Sequence, residues 1–328
     1  MWLNGFMLGD FIIGVALIVV MVISTGVAVS QFERLAVDLR MRKLLLASVL
    51  VGISTSLPEL FVTLTSALKG TPQIALGDLM GANIANLSWV IGGAAIVGRT
   101  IPVVGDYIRE DLWITMVLTM APFLLMIDGG LSRFDGLLLI FGYTLYLKDL
   151  VEKGRYRVRQ AKINKHVISK HHRLKLGVRM THLVKMLVAL VVLGLAAGRL
   201  VEVAVAIARG LGASSFWVGL VIIALGTTLP EMIVSIEAVR KREASLILGN
   251  LLGSVVVNSS LIMGVGALIR PVLFNDTLVK GLAGVFMVAI LGLFWLFTRT
   301  KHRLDRWEGA ALVGVYLMFV GLQFLALR

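Results

Sequence analysis

Apolar runs of about 20 residues recur along the chain, set apart by clusters of basic residues, and their length limits what it can fold into. A helix rises about 1.5 Å per residue, so such a run crosses a hydrocarbon core about 30 Å thick. Runs near 9–30, 44–68, 74–98, 112–127, 135–151, 183–208, 214–239, 245–269, 277–298 and 307–327 approach or exceed that length. They predict an all-α membrane protein with ten transmembrane helices. Composition agrees: 58% of the 328 residues are hydrophobic and 16% are charged, against about 45–50% apolar in soluble domains.

The formal charge of +13 would suit a nucleic-acid partner if it were spread over a soluble surface. Here it sits between the spans and reports topology instead. One set of alternate loops carries Arg34, Arg40, Arg42, Lys43, Arg99, Arg109, the stretch 148–179, Arg240, Lys241, Arg242, Arg299, Lys301, Arg303 and Arg306. The other carries Lys69, Arg133, Arg209, Arg270, Lys280 and Arg328. Cytoplasmic loops hold the excess, so both termini are expected on the extracytoplasmic side of a multi-pass protein of the plasma (inner) membrane. The start of the chain lacks a basic n-region and a cleavage motif, so its first run is expected to stay as a helix.

The long connection, 149–182, reads as a basic cytoplasmic linker between two membrane units, 1–148 and 183–328. Asp149 and Glu152 are its only acids, too few oxygens for a calcium-sensing domain. The absence of cysteine excludes disulfides and thiolate metal sites. His182 and His302 fall at span ends, and no Ser/His/Asp or paired-His arrangement recurs inside a span, so an enzyme is not expected and no cofactor is called for.

An internal repeat organises the two units. Moved by the 172 residues that separate Glu59 from Glu231, Thr55-Ser56-Leu57-Pro58-Glu59 falls on Thr227-Thr228-Leu229-Pro230-Glu231. Gly77, Leu79, Gly81, Asn86 and Gly92 fall on Gly249, Leu251, Gly253, Asn258 and Gly264, and Lys69 falls on Lys241. Five spans per unit is an odd number, so the second copy enters the membrane the other way up. Two inverted five-helix repeats with broken helices at the site are a plan of secondary transporters.

Glu59 and Glu231 lie roughly 15 Å from the nearer membrane boundary, close to the midplane. An ionisable group there costs roughly 3 kcal/mol and marks function by default. Ser56-x-x-Glu59 and Thr228-x-x-Glu231 also fit a capping box, with proline in the first turn of a restarting helix. Pro58 and Pro230 lack backbone donors and free carbonyls upstream. Those carbonyls, the Ser56 and Thr228 hydroxyls and two carboxylates are hard oxygen ligands for Ca²⁺ or Na⁺. Asp78, Ala82 and Asn86 repeat every four residues, as do Asn250, Ser254 and Asn258, so each set lines one helix face and is expected to look toward a motif helix and its ion.

Ser54 to Gly70 (STSLPELFVTLTSALKG), Gly77 to Asn86 (GDLMGANIAN), Gly226 to Ser235 (GTTLPEMIVS) and Gly249 to Asn258 (GNLLGSVVVN) resemble the two alpha repeats of the cation/calcium exchanger superfamily, in its sodium/calcium exchanger-like branch. The resemblance implies alternating-access antiport of Ca²⁺ against Na⁺. It makes Glu59 and Glu231 the shared carboxylates, Thr55 and Thr227 carbonyl donors, Ser56 and Thr228 hydroxyl donors, and Ser254, Asn86 and Asn258 side-chain ligands. Ser54, Asp78, Ala82 and Asn258 stand where that family usually has Gly, Asn, Ser and Asp. The loss of a hydroxyl at Ala82 and the added carboxylate at Asp78, which joins the candidate ligands, keep H⁺ open as the coupling ion, hence a cation/proton antiporter as the alternative. A non-transporting membrane scaffold is the remaining one.

Overall fold

Apolar side chains face outward and polar ones fill the middle, the reverse of a water-soluble protein. Ile12, Phe141, Leu195, Val285 and Leu317 are exposed, whereas Glu59, Asp78, Asn86, Glu231 and Asn258 are wholly buried. In this computed structural model the described residues are 5–38, 51–102, 106–161, 176–241, 244–273, 277–301 and 303–326. Residues 44–50 of the expected second span and 162–175 of the basic linker lie outside them.

The first half contains α1 (Gly5–Asp38), α2 (Val51–Thr55), α3 (Leu57–Leu68), α4 (Pro72–Ala85), a π-turn (Asn86–Val90) running into α5 (Ile91–Gly98), strand β1 (Thr100–Pro102), α6 (Asp106–Leu125), β2 (Gly130–Leu131) and α7 (Arg133–Ala161). The second contains α8 (Leu176–Leu211), α9 (Ser215–Val218), a π-turn (Gly219–Ile223) running into α10 (Ala224–Thr227), α11 (Leu229–Arg240), α12 (Ala244–Val256), a π-turn (Val257–Ile262) running into α13 (Met263–Ile269), β3 (Val272–Leu273), α14 (Thr277–Lys301), β4 (Arg303–Asp305) and α15 (Arg306–Leu325). Moved by 172 residues, α3 coincides with α11, and α1, α4 and β1 fall on α8, α12 and β3 to within a residue or two.

Seven stretches are long and apolar enough to cross a membrane: Leu8–Phe32, Pro72–Gly98, Val178–Leu211, Ser215–Arg240, Ile247–Ile269, Gly281–Arg299 and Arg306–Leu325. Leu57–Leu68 and Leu112–Asp128 are shorter apolar helices. The remaining expected span, within α7, is long, but Arg133, Asp135, Lys148 and Asp149 crowd its ends and leave its apolar part short.

The halves interlock instead of lying side by side. α5 packs on α15, and α13 on α7. Backbone meets backbone at both crossings: a Cβ on Gly92 would lie 2.6 Å from the Gly309 carbonyl, and one on Gly136 2.8 Å from that of Gly264. β1 pairs antiparallel with β4 through Ile101 and Leu304, and β2 with β3 through Leu131 and Val272. α4 lies along α9, its π-turn and α10, while α12 lies along α2. Glycine permits this approach, since a Cβ on Gly77 would meet the Phe216 carbonyl at 2.1 Å and one on Gly81 the Leu220 carbonyl at 2.1 Å.

The long helices α1 and α8 pack lengthwise on each other, and α8 rests on α3. At that seam the Lys69 ammonium, at the end of α3, donates to the Gly198 carbonyl at 2.5 Å and to Glu202 at 2.7 Å. Arg199 shares Glu202, also at 2.7 Å.

The close crossing at Gly81 gives a stability test. Gly81→Val should lower the melting temperature in detergent, the overpacking costing about 1–3 kcal/mol or more because the opposing atom is backbone. Gly314→Ala, where nothing lies within 4 Å, should leave it unchanged or slightly raised.

Candidate functional site

Each long motif helix is interrupted by a single residue. Ser56 (φ −82°, ψ 11°) separates α2 from α3, and Thr228 (φ −82°, ψ 0°) separates α10 from α11. Hydrogen bonding resumes at once, Leu60 N–H donating to the Ser56 carbonyl at 3.0 Å and Met232 N–H to that of Thr228 at 3.1 Å. The interruption is therefore local. Pro58 and Pro230 lack the N–H that would serve the carbonyls four residues earlier, those of Ser54 and Gly226.

The expected capping boxes do not form. Neither Ser56 nor Thr228 makes a side-chain cap bond, because both sit near the helical region and not in the extended conformation that aims a capping oxygen forward. α15 has the real arrangement, with an extended Asp305 and Glu308 accepting from the Asp305 N–H at 2.8 Å. Released from capping, all four carboxylate oxygens of Glu59 and Glu231 are fully buried and make no hydrogen bond. Thr228 donates back to the Ala224 carbonyl at 2.9 Å, whereas the buried Ser56 hydroxyl has no partner.

The polar faces of α4 and α12 do look toward motif helices, but toward those of the opposite half. Thr55 donates to Asn250 Oδ1 at 3.1 Å and lies 2.9 Å from the Ser254 hydroxyl. Thr227 donates to Asp78 Oδ1 at 2.8 Å. These contacts are the same interaction 172 residues apart. A hydroxyl that gives its proton to a neighbour keeps lone pairs for a cation. Thr227 also lies beside Glu59, Thr55 and Ser254 lie beside Glu231, and Asp78 acts electrostatically on both glutamates.

Asn86 and Asn258 stand at the two π-turns, fully buried, with neither amide atom bonded. A π-turn widens the helix by one residue and is common at functional positions. Ser88 and Ser260, again 172 residues apart, donate to the carbonyls of Ile84 and Val256 within these turns. Two contacts have no counterpart in sequence reasoning: the bridge from Asn83 to Ser259 at 2.6 Å and the Asn250 acceptor. The repeat placed Asn250 on the right face and left its partner open.

Among the described residues the buried charged side chains are Glu59, Asp78, Asp135 and Glu231, with no buried Lys or Arg to offset them. No three acidic or imidazole groups close on one metal position there. A bound cation would therefore draw on neutral Thr, Ser and Asn oxygens as well as carboxylates, the donor set of a hard ion.

Known proteins share this plan. The family model described as sodium/calcium exchanger protein matches residues 10–148 and 181–325. The putative antiporter CaxA of Alkalimonas amylolytica is 30% identical over 89% of this chain and 90% of its own length. The inner membrane protein YrbG of Escherichia coli K12 is 28% identical over 86% of each chain. The sodium-calcium exchanger NCX_Mj, in crystals soaked with 100 mM Na⁺ and 10 mM Sr²⁺, has a similar fold with a TM-score of 0.64 at 23% identity, over 96% of this chain and 97% of that one. The chain is a helical membrane protein of the sodium/calcium exchanger family, cation antiporters and not enzymes.

Proposed function

We propose that this antiporter exchanges Ca²⁺ for Na⁺ by alternating access, with Glu59 and Glu231 as the carboxylates that the two ions compete for. The reading rests on one observation: both glutamates are buried without hydrogen bonds where the motif helices of the two halves meet. Two carboxylates balance one Ca²⁺ or share several Na⁺ ions, so occupancy by one excludes the other. Thr55, Ser56, Thr227, Thr228, Ser254, Asn86 and Asn258 supply the neutral oxygens, and Asp78 a further charge.

The element correspondence and the crossed packing support ten spans in two inverted five-helix repeats, 1–148 and 183–328, joined by the linker 149–182. The charge distribution supports termini on the outer side of a plasma (inner) membrane and a cytoplasmic linker. In this orientation Lys69 and Glu202 meet at the outer face.

Access alternates when α1 and α8 slide together along the core. They contact each other more than anything else, and small residues line their seams: a Cβ on Gly14 would stand 3.6 Å from Val203, and one on Gly194 3.1 Å from Phe61. The proton-coupled reading draws on Asp78 and Ala82, a carboxylate added and a hydroxyl lost on one stripe, so the coupling ion must be tested directly.

Ca²⁺ should raise the melting temperature of the purified protein, by about 2.7 kcal/mol of stabilisation at a hundredfold excess over the dissociation constant. Glu59→Gln and Glu231→Gln should fold yet show no Ca²⁺ shift; a full shift in both would remove these residues from the site. In liposomes, an outward Na⁺ gradient should drive Ca²⁺ uptake that Glu59→Gln abolishes. Uptake driven by a pH step without Na⁺ would replace the coupling ion by H⁺.

The natural chain has no cysteine, so a disulfide can be placed at will. A Cβ on Gly198 would stand 3.9 Å from Thr65 Cγ2, within reach of a bridge. Oxidising the Thr65→Cys/Gly198→Cys protein should arrest exchange, and reduction should restore it. Exchange that persists in fully cross-linked protein would mean that α8 does not move against α3.

A further inference from the structure

The repeat contains its own control for Asp78. Positions 78 and 250 are equivalent, both buried, and each accepts a hydrogen bond from the motif threonine of the other half, at 2.8 Å to Asp78 and 3.1 Å to Asn250. An amide oxygen therefore does the structural work in one half that a carboxylate oxygen does in the other. What Asp78 adds is a negative charge and a second oxygen, Oδ2, which is buried without a hydrogen-bond partner.

That charge has no cationic side chain to meet. Among the described residues no Lys or Arg is buried, and the charged groups acting on Asp78 are Glu59 and Glu231, both of its own sign. A divalent ion held by the two glutamates offsets two charges and leaves the third. The three carboxylates also do not converge on one metal position, which separates Asp78 from the divalent ion in space as well as in charge. The oxygens next to the surplus charge are Asp78 Oδ2 and the Thr227 hydroxyl, whose proton already goes to Oδ1. One turn along, Ala82 offers no oxygen where Ser254 does in the other half. A carboxylate with a few neutral oxygens suits an alkali cation, which needs one charge balanced.

We propose that Asp78, with Thr227, holds an alkali cation beside the divalent ion, so that the divalent-loaded protein carries both in the same direction. The proposal rests on the reading that Glu59 and Glu231 hold the divalent ion, and the test separates the two.

Wild-type, Asp78→Asn and Glu59→Gln proteins are placed in liposomes with choline as bulk cation, and entry of Ca²⁺ and of tracer Na⁺ or Rb⁺ from the same side is measured together. Asp78→Asn preserves the acceptor that Asn250 exemplifies, and its folding is checked by melting temperature. Tracer entry that depends on Ca²⁺ is expected in the wild type, with the Na⁺ and Rb⁺ arms telling which alkali ion is taken. In Asp78→Asn that entry should be lost while Ca²⁺ entry continues. Three results overturn the proposal: tracer entry unchanged in Asp78→Asn, wild-type Ca²⁺ entry with no accompanying alkali ion, or loss of Ca²⁺ entry in a folded Asp78→Asn protein, which would make Asp78 a ligand of the divalent ion. Ca²⁺ entry that survives in Glu59→Gln would instead sink the underlying reading.

Discussion

Carboxylates buried in a membrane without partners have to be offset by something, and most of this architecture follows from that demand. Each costs roughly 3 kcal/mol at mid-membrane on insertion scales, and an uncompensated buried charge in a folded protein costs about 3–5 kcal/mol. With no basic side chain in the described interior, the compensation has to come from outside the chain, as a cation. The chain's own share is to hold oxygens around the place where that cation stands. Neither half does this alone. Thr55 reaches Asn250 and Ser254, Thr227 reaches Asp78, and the polar groups near each glutamate come partly from the opposite half. Crossed packing of α5 on α15 and of α13 on α7 makes that exchange of partners possible.

Much of this was legible in the residues. The 172-residue shift anticipated the equivalence of α3 with α11 and of the two polar stripes, because glycine, proline and buried acids leave little freedom in register. Periodicity of four showed which residues share a face, but not which helix that face meets, and the true partner lies in the other half. That information is in the three-dimensional crossing, where the glycines at 77 and 81 permit contact with α9 and its π-turn without naming the neighbour. The π-turns had no visible signature either, since Asn86 and Asn258 fit an ordinary helix as well. The capping-box reading failed for a related reason. Ser-x-x-Glu has the right spacing, but at Ser56 and Thr228 the backbone stays close to helical, so the glutamates stay uncapped and available. α7 was expected as a span on its apolar middle, and the charges at its ends shorten that middle.

In an inverted repeat, access from one side uses the first half as access from the other uses the second. Identical halves would make the two open states equal in energy, so every departure from equivalence biases them. At the centre, Asp78 faces Asn250, Ala82 faces Ser254, and the free Ser56 hydroxyl faces a Thr228 hydroxyl turned to the backbone. At the periphery, Lys69 meets Glu202 across α3 and α8, while the positions equivalent to Glu202 and Arg199 are Ser30 and Val27. The peripheral pair is roughly half exposed and contributes about 0.2–1 kcal/mol, a bias of about fivefold at most. The central differences act on buried charge, where several kcal/mol are at stake. The energy difference between the open states is therefore set mainly by which ions occupy the site and only secondarily by the latch, which ties the direction of exchange to ion gradients.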